Sequence, residues 1–320
     1  MSIKVSVIIP VYKVEKYIER CVISLFTQTM REGIEFIFVN DHTPDKSIEI
    51  IKGILNRFPC RKSQVLFVEH SVNSGIAKTR MSGLAESRGE YIIYCDSDDW
   101  VESSIYETMY ALAKQNNSDI VVCDYFISYA KHEAIVKQNI NKDKEHFVRQ
   151  LLRGDIHNNV WNKLIRKTLY DSLSPIYVEG VNMWEDVGVV SRLAYGAKII
   201  SHLQIPLYHY SQDNSNAYTR RWKACYTNNI LKVVDLNRDF FIDKCVDYSP
   251  LVQRAIYSIL SHVCVKERQR IMRTYQEEIL SRKIDYSLFS TYGKILAWSL
   301  FNSHNRLADV LIKIKSKLLS

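Results

Sequence analysis

YIIYCDSDDW, residues 91–100, is the stretch from which the rest of the chain can be read. Tyr91 to Cys95 is an apolar run too short for a helix, and it reads as a buried strand. It ends in three carboxylates, Asp96, Asp98 and Asp99. Three acids crowded at a strand end repel one another unless positive charge is brought to them. A divalent cation such as Mn²⁺ or Mg²⁺ would do so, because hard cations take oxygen ligands and keep open positions for phosphates. The alternative is an acidic turn that starts the next helix, with Asp99 or Ser103 as its cap.

On either side of this stretch, strand and helix signals alternate. Strands are expected at Val5–Ile9, Glu35–Val39, Val65–Val68 and Ile120–Cys123. Helices are expected at Glu15–Thr29, Asp45–Phe58, Ile76–Ser87 and Ser104–Lys114. Such alternation predicts βαβ crossovers and a mostly parallel, Rossmann-like α/β sheet flanked by helices. Ligands then bind beyond the carboxyl ends of the strands. Polar clusters fall at four such ends: Pro10-Val11-Tyr12, Asn40-Asp41-His42, His70 to Gly75, and Asp96 to Asp99. Residues 124–220 are less regular and contain Trp161-Asn162-Lys163-Leu164, Trp184-Glu185-Asp186 and an aromatic strand, Pro206 to Tyr210. From residue 221 the pattern is helical and basic. The expected organisation is a domain over 1–220, nucleotide-binding in 1–125 and acceptor-facing in 126–220, followed by a helical region over 221–320.

Composition narrows the class. Of 320 residues, 47% are apolar and 24% charged, as in a soluble globular protein. No apolar run reaches about 18 residues, so no transmembrane helix is expected. The N-terminus, interrupted by Pro10 and followed by Lys13, Glu15 and Lys16, does not read as a signal peptide. Seven scattered cysteines without C-x-x-C spacing read as reduced thiols of a cytoplasmic protein. The net charge of +8 is unevenly placed: residues 220–320 carry 18 Lys and Arg against 9 Asp and Glu, which leaves residues 1–219 near neutral. The basic third would suit an anionic lipid or saccharide carrier. Its cations are dispersed along helices without a recognition motif, so no nucleic-acid partner is expected.

Several side chains carry both a functional and a structural reading. Tyr12 and Asp41 end neighbouring strands, where a ring stacks on a base and a carboxylate accepts an imide N–H; they also read as a half-buried Tyr and a capping Asp. HSVNSGIAKTRMSG, 70–83, turns into a helix with Lys78 and Arg80 near its start, which suits a diphosphate. Glu185 and Asp186 read as helix-start acids, or as a general base partly desolvated beside Trp184. His209 reads as structural, and Ser215 and Arg220 as a polar stretch able to fold over a phosphate. The last helix, with Leu307, Val310, Leu311, Ile314 and Leu318 on one face and Arg306, Lys313 and Lys317 flanking, reads as core-packing or as a membrane-docking helix.

VSVIIPVY (5–12), EFIFVND (35–41), NSGIAKTR (73–80), YIIYCDSDD (91–99), WNKL (161–164) and WED (184–186), in this order and spacing, resemble the family-2 glycosyltransferases of GT-A fold. The resemblance covers about residues 3–215. It implies inverting transfer of a sugar, most often from a UDP-sugar, to a saccharide or lipid-linked saccharide at the bacterial inner membrane. By that likeness Pro10, Tyr12 and Asp41 hold uracil, Lys78 and Arg80 contact base and diphosphate, and Asp98 binds the metal. Asp96 serves ribose and metal, Asp99 orients the donor sugar, and Asp186 is the base with Glu185 beside it. Trp161, Lys163 and Trp184 would line the acceptor side. The sequence departs from the family pattern in two places: Lys13 stands where Asn is usual, and Val39-Asn40-Asp41-His42-Thr43-Pro44-Asp45 replaces V-D-D-G-S-T-D. A related nucleotidyltransferase is disfavoured for want of its Gly-rich signature. A non-catalytic sugar-binding scaffold is the alternative.

Overall fold

A computed structural model describes residues 2–214, 222–275 and 284–318. Ser215 and Arg220 lie outside the described residues, and nothing is described of the side chains of Lys317 and Leu318. The chain divides into two compact units, one of residues 1–148 with 157–221 and one of residues 149–156 with 222–320.

The first unit is built on a nine-stranded sheet. Strand β1 (Val5–Val11) is followed by α1 (Ile18–Phe26), β2 (Ile34–Asn40), α2 (Ser47–Arg57), β3 (Val65–Glu69), α3 (Ile76–Glu86) and β4 (Tyr91–Tyr94). These four strands pair in parallel in the order β3-β2-β1-β4, as the alternating pattern predicts. Short β5 (Trp100–Val101), α4 (Ile105–Asn116), β6 (Ile120–Tyr129) and β7 (His132–Val136) come next. Then follow α5 (Lys144–Arg153), β8 (Lys163–Arg166), α6 (Lys167–Asp171), α7 (Glu185–Gly196) and β9 (Ile200–Ser211).

The sheet stops being parallel at β8, which runs antiparallel between β4 and β6. A four-residue strand that begins within the WNKL segment leaves no periodic signal, so sequence alone does not show it. Strand β9 is longer than the expected Pro206 to Tyr210, and it is bulged against β6 near Cys123 to Tyr125. Core side chains of β1, β2, β4 and β6 pack with α1 and α4, including Val7, Ile9, Phe36, Phe38, Ile93, Leu25, Phe26 and Tyr106. On the other face, α3 lies close to the sheet through Gly83, where a Cβ would meet Ile8 Cγ2 at 2.3 Å.

The second unit is helical, with helices at Cys225–Phe241, Ser249–Leu260, Val265–Thr274, Thr291–Phe301 and Asn305–Leu318. Its core includes Ile230, Val234, Leu251, Ile256, Ile259, Leu296 and Leu300. Residues 149–156 join it because Arg254 Nη1 donates to the carbonyls of Leu151 and Leu152, and Arg153 Nη1 donates to Asp285 Oδ2 at 2.5 Å. In the last helix Ala308 is buried, whereas Leu307, Val310 and Ile314 are exposed, as are Ile295 and Trp298 of the preceding helix. Among the described residues no helix is long and apolar enough to cross a membrane.

Candidate active site

The carboxyl ends of β1 and β2 meet because Val11 pairs with Asn40 and Asp41 N donates to Val11 O. Pro10 is buried within β1, and Tyr12, just beyond it, is 39% exposed. Asp41 does not face outward as expected. Its Oδ1 meets His70 Nδ1 at 2.8 Å and accepts from Ser74 N at 2.7 Å. Its Oδ2 accepts from Asn73 Nδ2 at 3.0 Å and Gly75 N at 2.9 Å. With four partners, this carboxylate organises the 70–75 loop and satisfies the backbone N–H groups of Ser74 and Gly75. His70 also meets Ser82 Oγ at 2.9 Å.

The acidic turn follows β4, whose last residues lie beside β1, with Cys95 N bonded to Ile8 O. Its three acids have different surroundings. Asp99 is buried; Tyr208 Oη donates to its Oδ2 at 2.6 Å and Ser211 N to its Oδ1 at 2.7 Å. Asp99 therefore fixes β9 to the turn and is not open to a donor sugar, contrary to expectation. Burial, then Asp98 and Asp96, raise its carboxyl well above the usual range. Asp96 is the open one, its side chain 27% exposed. Asp98 is half-buried; Asn214 Nδ2 donates to its Oδ2 at 2.8 Å. Burial and the neighbouring Asp96 push the Asp98 carboxyl up.

Arg80 does not point at open solvent either. It is buried in α3, with Nη2 donating to Asp96 Oδ1 at 3.1 Å and Nη1 to Glu185 Oε1 at 2.5 Å. Burial alone would lower its pKa, but Asp96 and Glu185 outweigh burial and hold it charged. Among the described residues its Nε has no hydrogen-bond partner. Lys78, two residues earlier, is half-buried, and its Nζ lies 3.9 Å from Glu179 Oε2.

Glu185 and Asp186 open α7, where the helix dipole favours acids. Trp184 precedes them with φ 65°, a left-handed conformation that is costly for an aromatic residue. The segment reaches α3 because Gly75, at φ +84°, has no side chain: a Cβ there would meet Asn182 at 2.4 Å. Ala77 N in turn donates to Asn182 Oδ1. Burial pushes the Glu185 carboxyl up to about 7; Arg80 opposes this and Asp186 adds to it. Asp186 is also raised by burial, with Arg80 opposing, and its Oδ1 accepts from its neighbour's amide, Val187 N.

Trp161 and Lys163, expected on the acceptor side, are core residues. Trp161 stacks on Tyr208 at 4.2 Å and 13°, and meets Tyr125 edge-on at 4.8 Å. Lys163 is 0% exposed, and its ammonium donates to His157 O, Asn159 O and Asn162 Oδ1, each at 2.8 Å. Burial pushes its pKa down to about 7, with Asp186 opposing, yet three acceptors match the three N–H bonds of the charged form. An unbroken WNKL motif carries no signal of burial. His209 is structural, as expected: its ring stacks between Trp100 and Phe126, with Glu102 and Glu133 on its two nitrogens. Sequence reasoning missed Asn214, Tyr208 and His70 as partners of the key acids; each contact spans a long stretch of chain.

Among the described residues no set of three or more His, Cys, Asp or Glu side chains converges as a metal site. Asp96 and Asp98 nonetheless suit a hard divalent cation. Their donors are all oxygen, two carboxylates leave positions open for diphosphate, and a cation would offset the burial and the repulsion from Asp96 that together raise Asp98.

Residues 6–173 match the family model for Glycosyl transferase family 2. EpsH of Bacillus subtilis (strain 168), a glycosyltransferase by name, is 32% identical over 237 residues, 71% of this chain and 66% of that protein. EpsJ of the same strain, named an uncharacterized glycosyltransferase, is 31% identical over 224 residues, 67% of this chain and 62% of that protein. The chain thus spans less than two thirds of these relatives' length. The S. aureus TarS 1-349 structure in complex with UDP-GlcNAc is 16% identical, with a TM-score of 0.72 over 98% of this chain and 92% of that one. Its complex with UDP gives 0.70 at 17% identity, over 98% of this chain and 92% of that one. At this identity the likeness shows the fold, and it bears out the expected GT-A arrangement.

Proposed function

The chain belongs to glycosyl transferase family 2, and from that premise we propose that it moves a sugar from a UDP-sugar to a hydroxyl of a saccharide or lipid-linked saccharide, inverting the anomeric centre. Arg80 carries this reading: it ties Asp96 of the acidic turn to Glu185, 105 residues away from Arg80 in sequence. One guanidinium thus joins the donor end of the sheet to the start of α7. The UDP-GlcNAc and UDP held by the TarS structures support a UDP-sugar donor of hexosyl or N-acetylhexosaminyl type.

In this mechanism Asp186 takes the proton from the acceptor hydroxyl as its oxygen attacks the anomeric carbon. The bond from that carbon to the diphosphate oxygen breaks in the same step, and UDP leaves. Burial raises the proton affinity of Asp186, against the opposing Arg80, and so makes it a stronger base. Glu185 and Arg80 position the start of α7. Asp98 and Asp96 would hold Mn²⁺ or Mg²⁺, which supplies charge neutralisation at the departing diphosphate. Holding donor and acceptor together removes orientation entropy from the barrier.

The exposed Ile295, Trp298, Leu307, Val310 and Ile314, with exposed Lys294 and Arg306 beside them, support peripheral contact with an anionic inner membrane carrying lipid-linked acceptors. The free cysteines are consistent with the reducing cytoplasmic side. UDP release from a panel of UDP-sugars, with Mn²⁺ and with or without saccharide acceptors, tests the transferase reading. Binding without any turnover would instead favour a non-catalytic sugar-binding scaffold. Vesicle flotation tests the membrane contact: recovery independent of anionic lipid would remove it.

A further inference from the structure

We propose that Asn182 is a positioning residue for the reaction: it caps α3 from a distant part of the chain and, with the Arg80 bridge, fixes Asp186 relative to the donor end of the sheet. The inference rests on the transferase reading above. Helix α3 lacks a cap of its own. The first amides of a helix have no partner within it, and the N-cap residue here, Gly75, has no side chain to accept from them. Asn182 Oδ1 supplies the missing acceptor, taking a hydrogen bond from Ala77 N at 3.2 Å. Ala77 is the second residue of α3, where an N-cap side chain ordinarily bonds. The amide also fills the space beside Gly75: a Cβ there would meet Asn182 Nδ2, Oδ1 and Cγ at 2.4, 2.5 and 2.6 Å.

Three residues further along both segments, Arg80 Nη1 donates to Glu185 Oε1 at 2.5 Å. Ala77 with Asn182 and Arg80 with Glu185 are therefore two rungs between the same pair of segments, each joining residues 105 apart in sequence. One rung alone leaves a segment free to pivot about it; two fix its direction. Asp186 is the residue after the second rung. Both sides of the first rung are themselves anchored. On one side, Arg192 of α7, 2% exposed, donates to Pro175 O at 2.6 Å and to Ile176 O at 2.7 Å, six or seven residues before Asn182. On the other, Asp41 at the end of β2 holds the amides of Ser74 and Gly75. Asn182 thus ties a loop fixed to α7 to a loop fixed to the sheet. Its loss lets the segment before α7 tilt, and displacing a catalytic group by about 1 Å costs on the order of 10² in rate.

Steady-state UDP release from the same panel of UDP-sugars with Mn²⁺, beside calorimetry with UDP, tests this on the full chain. Asn182→Ala should lower kcat by about 10–10² and bind UDP within about threefold of wild type, because positioning acts on the chemical step. Asn182→Asp keeps an acceptor oxygen for Ala77 N at a helix start, where negative charge is favoured, and should turn over within about threefold of wild type on the plateau of its pH profile. A folded Asn182→Ala with wild-type kcat would overturn the inference. So would one whose UDP binding falls as far as its turnover, since Asn182 would then brace the donor loop alone. If Asn182→Ala does not fold, Asn182→Asp decides: retained kcat upholds the inference, and a tenfold loss in the folded variant overturns it. A wild type that turns over no UDP-sugar would remove the transferase reading and this inference with it, a result distinct from the others.

Discussion

Arg80 donates to Glu185 at 2.5 Å, joining the middle of α3 to the first residue of α7. The same guanidinium reaches Asp96 at 3.1 Å, so three charged groups distant in sequence form one unit. Removing Arg80 leaves buried Glu185 without its counter-ion. Arg80→Met should therefore cost about 3–5 kcal/mol of stability, the scale for breaking a buried pair from one side. Arg80→Lys keeps the charge but cannot span both acids, so it should restore stability in part and turnover poorly. Urea unfolding and UDP release on both variants check this; equal turnover in Arg80→Lys would show that the bridge does not position the site.

Glu185 gives a pH signature. Its carboxyl is raised by burial from an ordinary 4.5 to about 7. Its contribution to stability is fully present below pH 4.5, where it is protonated in both states, and is lost as pH rises through about 7. Unfolding free energy should fall across that window, with a slope of at most about 1.4 kcal/mol per pH unit from this group. Glu185→Gln should flatten the slope. Because burial raises Asp186 as well, kcat/KM should rise with pH to a midpoint above the ordinary Asp value.

Trp161 separates core from acceptor site. Stacked on Tyr208, whose hydroxyl holds Asp99, it supports the acidic turn from beneath. Trp161→Ala should cost about 3–5 kcal/mol, as for other large-to-small core changes. Trp161→Phe, which keeps an aromatic ring in the core, should leave the acceptor KM unaltered. A raised acceptor KM in a folded Trp161→Phe would return this residue to the acceptor surface.

What the sequence disclosed, and what it hid, follows from range. Val5 to Val11, Ile34 to Asn40 and Tyr91 to Tyr94 are local apolar runs, and local runs report strands. Asp96 and Asp98 follow the end of β4, where the connectivity of a parallel sheet already puts ligand sites, whereas Glu185 and Asp186 are legible only as a pair of acids at a helix start. Burial and pairing were hidden because they depend on distant partners. Nothing near Asp41 announces that His70 to Gly75 occupy its carboxylate, and nothing near Asp99 announces Tyr208 and Ser211. Lys163 reads as a surface cation until three acceptors close around it.

The central claim is that Asp186 is the proton acceptor in a site whose donor end is Asp98 and Asp96. Its most direct test sets UDP release, with Mn²⁺ and a turned-over UDP-sugar, beside UDP binding in Asp186→Asn. UDP binding should stay within about threefold of wild type, and UDP release should fall by about 10²–10⁴, the range of general base catalysis. Normal turnover by Asp186→Asn would contradict it.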